Sequence, residues 1–323
     1  MRKNIVALLV VMILSANLFY GCGSSSDLAV NKASTESAKS GDKKTVTIGY
    51  LPITHALAVF AEKELLDSED GDITIKLEKF SSWSDLMDAL NSGSIDGASV
   101  LIELAMGARS QGIDLKAVAL GHKDGNVIVT SEEIQTAADL KGKTIAIPST
   151  QSSHNILVQE ALAGAGLTID DINVVQLSPT EMPSSLASGS IDGYCVAEPF
   201  GAQAVSQGFG HVLYYSEDLW EDSFCCGLVL HESAIESLGS DAVNTLIEKY
   251  YEAGSSLHAD DAQTIAESYL GQDEEVLQTS LQWIHYDDLE ITPEGYQVLY
   301  DKVIEYGIND NPPTYEEFVY QAE

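Results

Sequence analysis

Basic residues are scarce in this chain. Sixteen Lys and Arg stand against 50 Asp and Glu, a formal net charge of −34 over 323 residues. Beyond Arg2 the sole arginine is Arg109. Nucleic acid needs clustered Lys and Arg, so it is excluded as a partner. No Walker pattern, GxSxG or HExxH occurs, so the signatures of an ATPase, a serine hydrolase and a zinc protease are all missing, and no cofactor motif stands in their place. Cysteine is limited to Cys22, Cys195, Cys225 and Cys226, with no CxxC spacing for redox or zinc work. Long apolar runs are also few. The stretch from Ile5 to Phe19, interrupted by Ser15 and Asn17, is too short for a comfortable membrane span.

What is present begins with that stretch. Arg2 and Lys3 precede it and Gly21-Cys22 follows it, which is the order of an export signal. A small residue before Cys at this point resembles a lipoprotein signal over residues 1–21. Lipid is then expected on Cys22, and more than one acyl chain is needed to hold the protein stably on the extracytoplasmic face of a membrane. Residues 22–43, rich in Ser, Lys, Ala and Gly, read as a flexible tether. Outside the cytoplasm a disulfide among the other three cysteines is an option, with one thiol left over. Cys225 and Cys226 lie in "FCCGLVL", a buried-strand pattern, and read as packing thiols.

From residue 44 onward strands alternate with helices. "TVTIGY", "ITIKLEKF", "IDGASVL" and "LKAVALG" are strand patterns separated by helical stretches, and the same grammar restarts at "KTIAIPS". Such alternation implies parallel sheets with right-handed crossovers. The hexamer "SGSIDG" at 92–97 returns at 188–193, and "SQG" at 110–112 returns at 206–208. One supersecondary unit is therefore built twice, once in each of two lobes. After Ser240 the chain reads as several helices, with Thr292-Pro293 as a helix start, and this tail suits a lid packed behind one lobe. The expected division is 44–123 for the first part of lobe I, 124–227 for lobe II, and 228–323 for the completion of lobe I with the C-terminal helices.

The segments "IGYLPITHA" (48–56), "SWSDLMDALNSGSIDGA" (82–98), "DLKGKTIAIPSTQSSHNI" (139–156), "CVAEPFGAQAV" (195–205), "CCGLVLHE" (225–232) and "PPTYEEFV" (312–319) together resemble type II periplasmic binding proteins. More narrowly, they resemble the substrate-binding subunits of the nitrate/sulfonate/taurine/bicarbonate class of ABC importers. The resemblance implies an α/β fold of two lobes, each a mostly parallel sheet flanked by helices, with a helical C-terminal tail. It further implies hinge closure on a solute held between the lobes, and membrane permease and ATPase subunits as partners. Enzymes resembling pyrimidine-precursor synthases share the fold, but their Cys-rich reactive run is absent here.

Ligands of open α/β sheets sit beyond the carboxyl ends of the strands. Those ends carry Thr54, His55, Trp83, Glu103, His122, Gln151, Ser152, Ser153, His154 and Glu198. By the resemblance, Trp83 and His154 match positions that face ligand in nitrate-type and bicarbonate-type members. Arg109 lies far along its helix from these ends and reads as a solvated surface residue, so a hard oxyanion has no cleft arginine to meet it. The set suits a small polar or heterocyclic organic solute. A metal ion bound by His55, Glu103, His122, His154 and Glu198 is the alternative. His154 and Glu198 are expected to face one pocket together with His55, Trp83 and Glu103.

Overall fold

Short β-branched runs and glycine-stopped helices punctuate the chain, and the fold follows that punctuation. The structure is a computed structural model that describes residues 43–69 and 71–322. The signal segment, Cys22 and the tether lie outside the described residues.

The chain runs through β1 (Lys44–Tyr50), α1 (Leu57–Ser68), β2 (Ile73–Lys79), α2 (Trp83–Asn91), β3 (Gly97–Leu101), α3 (Ile102–Ser110) and β4 (Leu115–Leu120). It crosses over through the two-residue β5 (Lys123–Asp124) into β6 (Asn126–Thr130), β7 (Thr144–Ile147), α4 (Ser153–Gly164), β8 (Asn173–Gln176), α5 (Met182–Ala187), β9 (Gly193–Ala197), α6 (Phe200–Ser206) and β10 (His211–Tyr215). It returns through β11 (Cys226–His231), α7 (Glu232–Leu238), α8 (Ser240–Ser256), α9 (Ala259–Leu270), α10 (Glu274–Ser280), β12 (Ile284–His285), α11 (Pro293–Glu305) and α12 (Tyr315–Phe318).

Two five-stranded sheets result, ordered β2-β1-β3-β11-β4 and β8-β7-β9-β6-β10. Position for position they are the same sheet. In each, four strands run one way and the fourth in order, β11 or β6, runs against them. These two antiparallel strands are the ones the alternating pattern did not foretell. β3, β6 and β9 are buried at every position, which explains their continuous apolar runs: each is covered on both faces.

The repeated hexamer closes α2 and α5 identically. Gly93 and Gly189 take left-handed φ values of 68° and 70°, where a side chain is disfavoured. Ser92 Oγ pairs with Ser94 Oγ, and Ser188 Oγ with Ser190 Oγ, each at 2.9 Å. Ile95 and Ile191 follow as buried residues.

Two segments connect the sheets, residues 121–125 outward and 216–225 back. They are bonded to each other: the Asp124 amide donates to Ser223 O at 2.6 Å, and Ser223 Oγ donates to Asp124 Oδ1 at 3.3 Å. The tail departs from the expectation of a lid behind one lobe. α8 and α9 pack on α1, but α10 packs on α6. Lys302 of α11 pairs with Glu160 of α4, and β12 pairs with β5 beside the crossing. The tail therefore touches helices of both sheets. α10 stops at Ser280, and Ile284 joins that pairing.

Candidate functional site

β1, β4 and the start of β11 end at one edge of the first sheet. The turn after β1 carries Thr54 and His55, the residues after β4 carry His122, and the return crossing delivers Cys225 and Cys226. All five are buried. His55 Nδ1 lies 3.1 Å from Cys225 Sγ, and His122 Nε2 lies 3.5 Å from the same sulfur. The two imidazoles stack with centroids 3.5 Å apart. Cys225 Sγ is also 3.6 Å from Cys226 Sγ and 3.6 Å from Asn126 Oδ1. The outer ring nitrogens are taken by backbone carbonyls: His55 Nε2–H donates to Gly125 O at 3.1 Å, and His122 Nδ1–H donates to Asp124 O at 2.7 Å. Carbonyls only accept, so each ring donates its outer N–H, which in the neutral tautomer leaves the inward nitrogen as a lone pair.

Burial on its own raises the Cys225 thiol. The neighbouring Cys226 thiol and the two imidazoles outweigh that and hold Cys225 well below the usual thiol range. Cys226 is pushed the other way, by burial and then by Cys225. The two neighbouring thiols are thus shifted in opposite directions. His122 is lowered, first by burial and then by His55. Cys195, Cys225 and Cys226 are all free of disulfides.

Beside this group lie buried polar atoms with no hydrogen-bonding partner among the described residues. Glu103, in the first turn of α3, has neither oxygen paired, and burial pushes its carboxyl well above the usual range, with Cys225 adding to the rise. Ser153, at the start of α4, pulls it back down electrostatically without reaching hydrogen-bonding geometry. His154 has both ring nitrogens unpaired and is lowered to about 4, chiefly by burial, with Cys225 opposing the fall and His55 and His122 adding to it. Each unpaired buried group costs about 1–3 kcal/mol. Glu103 comes from the first lobe and Ser153 and His154 from the second, so the unmet demand is shared across the interface.

The remaining expected site residues fall elsewhere. Trp83 opens α2 and lines a cleft of about 420 Å³ with Ser82, Ser84 and Leu104 on one side and Ser149, Gln176 and Ser178 on the other. The histidines do not line that cleft, although Leu104 is next in sequence to Glu103. A second cavity of about 430 Å³ lies by Lys123, Asp222 and Asp288, next to the tail and apart from the buried set. Thr54 bridges the lobes, its amide and hydroxyl both donating to Glu198 O at 2.9 and 3.0 Å. Ser152 Oγ donates to Ser149 O at 2.7 Å, and Gln151 is exposed. Arg109 is paired with Asp114 and Glu232 at 2.9 and 3.2 Å.

Two expectations are corrected. Glu198 turns its carboxylate back on its own helix: Oε2 accepts the Ala202 amide at 3.0 Å. Burial still raises it to about 8, against the Ala202 and Gly201 amides. Its other oxygen, Oε1, is buried with no hydrogen-bonding partner among the described residues, and no bond joins it to the histidines. Conversely, Cys225 and Cys226, read from sequence as packing thiols, stand at the centre of the polar group. Among the described residues the set able to hold a metal is His55, His122, Cys225 and Cys226, whose ligand atoms all lie within 4.8 Å of one another. Glu103 and His154 flank it.

These features sit on a recognisable frame. A family model described as the NMT1-like family matches residues 39–269, and the chain belongs to that family. The ligand-binding component of an ABC-type import system from Staphylococcus aureus, solved with zinc bound, matches with a TM-score of 0.82 and 36% identity over 87% of this chain and 99% of that one. The periplasmic aliphatic sulphonate-binding protein SsuA from Escherichia coli matches with a TM-score of 0.70, covering 86% of this chain and 98% of its own, and at 23% identity that likeness speaks to the fold alone. The bicarbonate transport ATP-binding protein CmpC of Synechocystis is 25% identical over 297 residues, 85% of this chain. The nitrate import ATP-binding protein NrtC of Synechocystis is 29% identical over 201 residues, 55% of this chain. The chain spans 44% and 30% of those two curated relatives' lengths. The fold is that of the solute-binding components of ABC importers.

Proposed function

We propose that this chain is the extracytoplasmic solute-binding component of an ABC importer. In this reading it closes two lobes on a small polar or heterocyclic organic solute and hands it to separate permease and ATPase subunits. The observation that carries the reading is the set of buried, unpaired polar groups contributed by both lobes: Glu103 from one, Ser153 and His154 from the other. A protein that leaves such groups unpaired at an interface gains most from a ligand that pairs them. The hydroxyl-rich cleft beside Trp83 supplies the entry. Lipid on Cys22 tethers the receptor to the membrane through residues 22–43, and the lobe boundaries fall at the two crossings. No catalytic role is assigned to any residue.

A metal ion as a bound species is the second reading. The zinc of the S. aureus structure favours it, and so does the convergence of His55, His122, Cys225 and Cys226. Native mass spectrometry of freshly purified protein, followed by calorimetry with whatever co-purifies, tests both. A small organic mass lost on unfolding supports import of an organic solute. An adduct of metal mass alone favours the second reading. Steady turnover of the co-purified molecule overturns the receptor assignment.

A further inference from the structure

We propose that His55 Nδ1, His122 Nε2, Cys225 Sγ and Cys226 Sγ form a closed, four-coordinate site for a resident zinc-class divalent ion, and that this ion clamps the hinge between the lobes. The proposal rests on the metal-binding reading above. It is independent of which solute enters the cleft.

Geometry is the first support. A tetrahedral zinc ion with Zn–S near 2.3 Å and Zn–N near 2.05 Å sets ligand-to-ligand edges of about 3.4–3.8 Å. The edges seen here are 3.1 Å from His55 Nδ1 to Cys225 Sγ, 3.5 Å from His122 Nε2 to Cys225 Sγ, and 3.6 Å between the sulfurs. The widest separation among the four atoms stays within 4.8 Å. Two nitrogens and two sulfurs make a borderline-soft set, suited to zinc and unsuited to magnesium or calcium.

The outer contacts are the second support. Ligating imidazoles fix their tautomer by donating the far N–H to a carboxylate or carbonyl. Here both do so, to Gly125 O and Asp124 O. One contact competes: the Cys226 amide lies 3.3 Å from His122 Nε2 and must give way as the ion takes that lone pair. Thiol protons of the two cysteines leave to solvent on loading.

Placement is the third. His122 belongs to the outward crossing, Cys225 to the return crossing, and His55 to the turn whose neighbour Thr54 already bonds Glu198 O of the other lobe. An ion here ties three chain segments at the pivot. All four side chains are buried, and a full set of protein ligands leaves no open position for exchange or catalysis. The ion is therefore a structural resident and not the transported cargo.

The test uses the mature chain kept reduced, stripped with a chelator and titrated with Co²⁺ and then Zn²⁺. Expected are one equivalent of Co²⁺, thiolate-to-cobalt absorption in the near ultraviolet, intense tetrahedral bands in the visible, and displacement of both by Zn²⁺. C225S and C226S each weaken the near-ultraviolet band and the double variant loses it, and H55Q and H122Q weaken binding by at least the roughly 10–100-fold that follows loss of an outer-shell partner. X-ray absorption on the wild-type zinc form is independent of how the variants fold, and it should show two sulfurs and two nitrogens. Small-angle scattering should show reduced lobe motion on loading. A zinc shell without sulfur overturns this site but leaves metal binding standing. Failure to bind Co²⁺ or Zn²⁺ stoichiometrically overturns both. Unchanged scattering on stoichiometric loading overturns the clamp.

Discussion

The carboxylate of Asp96 accepts the amide of Thr47 at 2.7 Å, and the Asp96 amide returns a bond to Thr47 O at 2.9 Å. One hexamer thus locks the entry of β3 onto β1. Its twin does the same in the other sheet: Asp192 Oδ2 accepts the Thr144 amide at 2.8 Å, and its own amide reaches Thr144 O at 2.8 Å. The conserved geometry of the repeat is a strand lock.

Replacing either aspartate with alanine leaves a strand amide unpaired. D96A and D192A should each lower stability by about 1–3 kcal/mol. The sites lie in different sheets and share no partner, so the double variant should lose the sum. Urea titrations check this, and a double-variant loss well below the sum would show that the locks are not independent.

Glu198 makes stability depend on pH with a defined sign. Its carboxyl rises from 4.5 to about 8 on burial, so the folded chain holds a proton that the unfolded chain has released. Stability from this group is full below about 4.5 and falls as pH climbs through 8. His154, lowered from 6.5 to about 4, acts oppositely: stability rises with pH between those values. Above 6.5 only the Glu198 slope remains of the two. E198Q, neutral throughout and still able to accept the Ala202 amide, should flatten the decline between pH 6.5 and 8. Denaturant midpoints at those two pH values decide it, and an equally steep fall in E198Q would assign the slope elsewhere.

His154 gains nothing from the described neighbours. H154L fills its space without the two unpaired nitrogens, so the apo protein should be as stable or more so. Affinity for the co-purifying solute should fall roughly ten-fold or more, the equivalent of about 1.4 kcal/mol. Scanning calorimetry and titration calorimetry together read this out. Lower apo stability with intact affinity would mark His154 as a packing residue.

Cys22 gives the cellular prediction. C22A should move the protein from the membrane fraction to the soluble extracytoplasmic fraction. Retention after a salt wash would count against lipid anchoring.

Much of the fold was legible because its signals are local. Apolar strands, glycine stops and the doubled hexamer are each written within a few residues. The antiparallel β6 and β11 were not, since an isolated apolar run carries no direction. The site divided in the same way. His55, Glu103, His122 and His154 follow from strand ends, and all are buried together. Glu198 shares that position but commits one carboxylate oxygen to the Ala202 amide, a choice of rotamer that no pattern encodes. Cys225 and Cys226 were hidden because "FCCGLVL" is also a good core strand. Their histidine partners are 170 and 103 residues away from Cys225, and only the return crossing brings them together.

That crossing also sets an order of completion. Strands β6 to β10 are consecutive, so the second sheet has every strand once synthesis passes Tyr215. The first sheet, begun earlier, keeps an open slot between β3 and β4 until Cys226–His231 emerges. The lobe made first is finished last. Until then two inner edges lie bare, an invitation to mispairing that the chain must survive before it is whole.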